Sequence, residues 1–192
     1  MKNKGEARCP WCGDDPLYVK YHDEEWGKPC HDERMLFELL ILEGAQAGLS
    51  WITVLRKREN YRKAFDNFNV EKISRYTDKD VERLMNDPGI VRNRLKINAT
   101  IANARAYLKL RDEFGGLGPY LWGFVDDKPL QPEFHHMAEV PARTLLSGAL
   151  SKNMKARGFR FIGSTICYAY MQAIGMSNDH LISCEYRTLS AD

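Results

Sequence analysis

Apolar residues recur along this chain at intervals of three and four, and those intervals predict helices nearly throughout. Asp14-Asp15-Pro16 places a capping side chain before a proline at the first helical position, and Tyr18, Tyr21, His22 and Trp26 then follow on one face. Leu36 to Leu42 predicts an apolar helix that ends near Gly44. Gly48 and Ser50 open another, in which Trp51, Val54, Leu55, Tyr61 and Phe65 keep the same period. Thr77-Asp78 caps a short helix through Val81, Leu84 and Met85, stopped at Asp87-Pro88-Gly89. Ile90 begins a turn into a long helix holding Ile97, Ile101, Ala104 and Leu108. Gly115 to Pro119 reads as a loop, Pro119 to Val125 as a short helix and Asp126 to Pro132 as irregular chain. Two more helices are predicted, Thr144 to Arg157 and Ser164 to Ile174, with Gly158 and Gly175 where left-handed caps fall. There is no internal repeat and no low-complexity tract. The expected class is all-α.

Composition narrows the setting. With 192 residues, 44% of them hydrophobic and 11% aromatic, the chain can fill a proper core, which excludes a disordered protein. No apolar run approaches the roughly 20 residues of a membrane span, and the stretch Met1 to Glu6 lacks the apolar core of a signal peptide. A cytoplasmic protein without membrane contact is expected. Cys9, Cys12, Cys30, Cys167 and Cys184 form an odd, scattered set that suits a reducing compartment and leaves some thiols free.

The net charge is only +2, but it is unevenly spread. Asp14, Asp15, Asp23, Glu24 and Glu25 make the start acidic. Arg56-Lys57-Arg58, Arg62-Lys63, the series Arg92, Arg94, Lys96 and Arg105, and the group Lys152, Lys155, Arg157 and Arg160 are basic. A polyanionic partner fits such clusters. The alternative is that each cluster is the solvated face of its own helix.

Both ends of the chain carry metal-binding residue types: Cys9 and His22 at one, His180 and Cys184 at the other. Two sulfurs and two imidazoles are the ligand set of a closed tetrahedral zinc site, and a His-x3-Cys spacing lets both donors share one face of a helical turn. A clip closing most of the chain would be worth roughly 4 to 5 kcal/mol by chain entropy. Two readings compete with it. The cysteines can be small buried apolar residues, and Cys9-x2-Cys12 is by spacing the better half-site, one that would displace His22. His31, His135 and His136 match no ligand position.

Two further groups carry candidate chemistry. Val81 to Arg92 reads as helix, Pro-Gly hairpin and second helix, and such a hairpin at Gly89 can leave backbone N–H groups to grip a phosphate without reading sequence. An ordinary helix-helix turn is the alternative, and the adjacent Arg92, Arg94 and Lys96 favour DNA. Glu43 ends an apolar run, where burial would demand a partner or a ligand. In company with Trp51, Tyr18 and Tyr21 it supplies what a flipped base requires, aromatic walls and a carboxylate. A surface glutamate and ordinary core aromatics remain the competing reading, which spacing does not decide.

Longer motifs add to this. Arg8-Cys9-Pro10-Trp11, Asp15-Pro16-Leu17-Tyr18, Tyr21-His22-Asp23 through Glu25-Trp26-Gly27, Leu42-Glu43-Gly44, Gln46 to Leu55, Gly158-Phe159 with Phe161, Thr165 to Tyr168 and Asn178-Asp179-His180 closely resemble the DNA-3-methyladenine glycosylase I family, the Tag type. The resemblance spans roughly Cys9 to Cys184. It implies an all-α, helix-hairpin-helix glycosylase with one structural zinc ion joining the chain's ends through Cys9, His22, His180 and Cys184, which leaves Cys12 as a free thiol. It implies Glu43 as the catalytic-site carboxylate on the adenine edge, Tyr21 and Trp51 as stacking walls, and Tyr18, Trp11 and Trp26 nearby. Gly48 and Leu49 match the tip that fills the gap left in the duplex, and the family is said to lack the catalytic aspartate of related glycosylases.

The implied reaction is hydrolysis of the N-glycosidic bond of 3-methyladenine in double-stranded DNA, leaving an abasic site and the free base. The expected unit is a monomer, residues 1–192, with a helix-hairpin-helix part near 33–130 and a zinc-bearing lobe from 1–32 and 131–192. Two other classes stay open. A non-catalytic zinc-containing helix-hairpin-helix DNA-binding protein would not need Glu43, Trp51 and Tyr21, and a zinc hydrolase would need an open metal position.

Overall fold

A computed structural model describes residues 7–187; the stretch 1–6, whose sequence lacks a signal-peptide core, lies outside the described residues. Among the described residues the helices are α1 Pro16–Glu24, α2 Glu33–Gln46, α3 Trp51–Leu55, α4 Arg58–Ala64, α5 Val70–Ile73, α6 Asp78–Met85, α7 Arg94–Phe114, α8 Leu117–Trp122, α9 Leu145–Ala156 and α10 Ser164–Ala173. The only β contact among the described residues is a parallel bridge between Leu130 and Ser177, outside these helices. No helix among them is long and apolar enough to cross a membrane.

Local chemistry sets the helix starts. The Asp15 side chain accepts from the Leu17 and Tyr18 amides ahead of Pro16, and Thr77 and Asp80 form a reciprocal capping box on α6. Thr144 and Ser147 do the same on α9. Other boundaries follow tertiary packing. The helix expected to end near Gly44 runs on to Gln46; Gly44 lies inside it facing Phe161, whose Cβ a built Cβ would meet at 3.4 Å, ordinary van der Waals contact. The period running from Trp51 to Phe65 is carried by two helices, not one. The chain breaks between α3 and α4, and Arg58 at the start of α4 turns inward to Glu38 and Glu25.

Helix α2 is the spine of the fold. Every residue from Leu36 to Ala45 is buried, as an element packed by α3, α7, α8 and α10 requires. Within that run Glu38 has no exposure, and Arg34, Arg58 and Arg62 all donate to its carboxylate. Those three guanidinium groups hold its pKa below the usual carboxylate range despite burial. α9 and α10 pack on each other, and α10 joins α2 through the Tyr170 hydroxyl, which donates to the Leu36 carbonyl at 2.8 Å. The ends of the described chain also meet, the Glu185 amide donating to the Ala7 carbonyl at 3.0 Å.

Candidate active site and metal centre

The sequence brings four metal-ligating side chains to one point. One ligand atom from each of Cys9, His22, His180 and Cys184 lies within 4.8 Å of all the others, and all four residues are buried. Cys9 Sγ is 3.6 Å from His180 Nδ1, and Cys184 Sγ is 3.6 Å from His22 Nε2 and 3.3 Å from His180 Nδ1. Donors about 2.0 to 2.3 Å from a tetrahedral ion stand roughly 3.3 to 3.8 Å apart, so the spacing fits. The other ring nitrogens are already held. His22 Nδ1 is 2.7 Å from Asp23, which also receives Arg8, and His180 Nε2 is 3.0 Å from the Trp26 carbonyl. Such contacts fix which nitrogen each ring presents.

The helical turn expected for His180 to Cys184 is absent. That stretch is an irregular segment whose turn closes with the Cys184 amide on the Leu181 carbonyl, and it brings the same donors together. Cys12 lies outside the cluster, its thiol donating to the Cys9 carbonyl at 3.2 Å. His31 stacks on Trp122, and the amides of His135 and His136 donate to Glu139, so none of these histidines joins the four.

Beside the cluster opens a cavity of about 290 Å³ lined by Trp11, Tyr18, Tyr21, Trp26, Glu43 and Trp51 from the first third of the chain. Glu43 is 3% exposed, and its Oε2 has no hydrogen-bond partner; neither do the buried indole nitrogens of Trp11 and Trp51. Buried polar atoms without partners are rare, and three on the lining of one cavity point to a ligand that completes them. Burial alone pushes the Glu43 carboxyl up to about 8, so it is largely protonated at neutral pH. Burial, then the Glu43 charge, raises the Tyr21 phenol well above its ordinary value.

The aromatic walls support one another, with ring centroids 5.3 Å apart for Tyr21 and Trp51, 5.0 Å for Trp11 and Tyr18, and 4.9 Å for Trp11 and Trp26. Trp11 also lies edge-on to the His22 ring at 5.2 Å, so the cavity wall rests on the Cys and His cluster. Trp26 reaches the cavity from beyond the end of α1, not from its helical face. The far wall, including Met137, Val140, Thr165, Tyr168 and Gln172, carries no periodic signal that joins it to Glu43; only the docking of α10 on α2 does.

The expected DNA face is rearranged in detail. Gly48, at φ +80°, lets the chain turn so that Leu49 stands 41% exposed at the tip of the loop after α2. The hairpin between α6 and α7 is present, but its own amides are taken: Gly89 donates to the Asp87 carboxylate at 2.7 Å and Val91 to the Tyr61 hydroxyl at 3.2 Å. The amides without intrahelical acceptors are instead those of the first turn of α7, Arg94 and Leu95. Arg92 is exposed and Arg94 pairs with Glu82 at 2.6 Å. Lys96 departs most from expectation. Its ammonium turns inward to the Ala45 and Ala47 carbonyls at 2.8 and 2.6 Å, and burial lowers its pKa. It anchors the loop that carries Leu49.

Among the described residues, an all-helical fold with a helix, hairpin, helix element beside an aromatic cavity, closed by four buried Cys and His side chains able to hold a metal, defines a narrow structural class. The family described as Methyladenine glycosylase matches residues 11–188, and the chain belongs to that family. It is 51% identical over 177 residues to DNA-3-methyladenine glycosylase 1 of Escherichia coli K12, covering 92% of this chain and 95% of that one. It superposes with a TM-score of 0.93 on a solved 3-methyladenine DNA glycosylase I from Staphylococcus aureus, at 36% identity, over 96% of this chain and 98% of the other. A variant of 3-methyladenine DNA glycosylase I solved in complex with 3-methyladenine matches with a TM-score of 0.92 at 36% identity, over 95% of this chain and 98% of that one.

Proposed function

We propose that this protein hydrolyses the N-glycosidic bond of 3-methyladenine in alkylated double-stranded DNA, releasing the free base and leaving an abasic site. The observation that carries the reading is the unpartnered Glu43 carboxylate oxygen, buried on an aromatic-walled cavity of about 290 Å³. Methylation at N3 makes the base cationic and weakens its bond to deoxyribose, so selection is the main task. A cationic ring against Tyr21 and Trp51 gains about 1 to 2 kcal/mol when desolvated. The same cation favours the ionised form of Glu43, whose proton leaves to solvent, and neutral adenine offers no such gain. Turning the nucleotide out costs a few kcal/mol, offset in part where Leu49 fills the vacated stack. A non-catalytic DNA-binding module would have no use for an unpartnered carboxylate in such a cavity.

Cys9, His22, His180 and Cys184 would hold one zinc ion. It would supply a crosslink between the two ends of the chain, since four protein donors close its coordination sphere. We read the protein as a monomer acting as a single catalytic unit. We also retain the division into a helix-hairpin-helix part near 33–130 and a metal-bearing lobe from 1–32 and 131–192. Five cysteines, none paired in a disulfide, suit the reducing cytoplasm.

Titration with free 3-methyladenine tests the pocket, with tryptophan emission as the readout. Quenching that saturates is expected, with adenine binding at least about tenfold more weakly; no quenching, or equal quenching by both, would refute the assignment. The DNA face is tested separately. Arg92→Ala is expected to weaken binding to damaged and undamaged duplex alike and to flatten the salt dependence by about one unit of slope. Lys96→Ala should leave that slope unchanged, because its ammonium is spent on backbone carbonyls. A change of base preference in Arg92→Ala would contradict a phosphate contact.

A further inference from the structure

Phe161 stands out by its backbone. Of the two aromatic residues with positive φ among the described residues, Phe68 is buried, whereas Phe161, at φ +54°, leaves 37% of its surface exposed. Bulky side chains rarely adopt this left-handed conformation, and it persists only where surrounding structure imposes it. The surroundings here do so. Phe159 and Ile162 are buried anchors on either side, the Asn103 side chain clamps Arg160 by accepting from its amide at 2.7 Å and donating to its carbonyl at 3.2 Å, and Ser151 donates to the Ile162 carbonyl at 2.6 Å. Asn103 and Ser151 are themselves buried. The clamp forces one phenyl ring outward between two core residues.

Its position suits a nucleic-acid contact. Phe161 borders Gly44 at the end of α2 and lines, with Val91 and Lys96, a small crevice between that helix end and the hairpin exit. Lys96 in turn holds Ala45 and Ala47, the root of the Leu49 loop. The ring therefore lies on the same rim as the hairpin and the Leu49 loop.

We infer that Phe161 is a second duplex-contacting residue, whose ring stacks on a base left without its partner when the damaged nucleotide turns out. The inference rests on the glycosylase activity proposed above. Backbone strain retained at an exposed aromatic is what a stacking role would preserve, since a base offers the ring a face to cover.

Phe161→Gly separates strain from contact. Glycine takes φ +54° without strain, which offsets part of the packing lost where the ring covers Gly44, so the variant should still melt cooperatively and stay folded at the assay temperature, yet bind a duplex containing a stable abasic-site analogue about tenfold or more weakly. Free 3-methyladenine should bind it as it binds the parent. Phe161→Asn, which tolerates the same backbone but lacks the ring, should show the same loss, and Phe161→Trp should retain affinity. Abasic-duplex affinity within about twofold of the parent in folded Phe161→Gly or Phe161→Asn would overturn the stacking role while leaving the glycosylase reading intact. A parent protein that releases no base from alkylated duplex would overturn both.

Discussion

His180→Ala is expected to purify without bound zinc and to melt roughly 10 °C or more below the parent. A metal held by this cluster would join positions 171 residues apart, the separation of Cys9 and His180. A constraint on that scale is worth roughly 4 to 5 kcal/mol, and each kcal/mol moves the melting point of a chain this size by about 2 to 4 °C. Elemental analysis and calorimetry on the same preparation check it. Loss of metal with an unchanged melting point would remove the structural role. Cys12→Ser should keep its metal, since that thiol lies outside the cluster and bonds a backbone carbonyl. The loss should also reach the base pocket, because Trp26 accepts from His180 and Trp11 packs on His22.

Glu43→Gln is expected to slow release of 3-methyladenine from alkylated duplex by about 10- to 100-fold, the equivalent of about 1.5 to 3 kcal/mol for a contact to a charged group. Glutamine keeps the shape but can never ionise opposite the cationic ring. The parent's kcat/KM should climb as pH rises through about 8, where burial has placed the free carboxyl, and the variant's should lack that limb. Stability should move the other way. With the carboxyl raised from 4.5 to about 8, the folded state binds more protons than the unfolded across that interval. Stability is then fullest below 4.5 and falls until about 8. At pH 9 the glutamine variant should exceed the parent by on the order of 4 to 5 kcal/mol, and near pH 4 the two should agree. Parallel stability curves would mean that Glu43 is solvated and unavailable as the pocket's carboxylate.

Capping side chains and helical periods were legible in the chain itself. Asp15 before Pro16, the Thr77-Asp78 cap and the long helical run through Ile97, Ile101, Ala104 and Leu108 are local signals, written in nearby residues, and the structure carries all three. What was not legible depends on residues distant in sequence. Gly44 looks like a stop and is a seat for Phe161; Lys96 looks like a phosphate contact and is a brace for the Leu49 loop. The His180 and Cys184 donors meet through an irregular turn that no periodicity describes. The unpartnered state of Glu43 was equally hidden: its position at the end of an apolar run suggests burial, but only the docking of α3 and α10 on α2, with α1 against α3, shows that no side chain answers it.

The most direct test is chemical. Duplex DNA treated with a methylating agent is incubated with the full-length protein, and the released bases are separated and identified by mass. Free 3-methyladenine accumulating with time, with unmodified adenine retained in the duplex and abasic sites forming in equal number, is the expected result. Abasic sites absent and no free 3-methyladenine, from a protein that still binds the duplex and holds its metal, would contradict a glycosylase and leave a DNA-binding protein in its place.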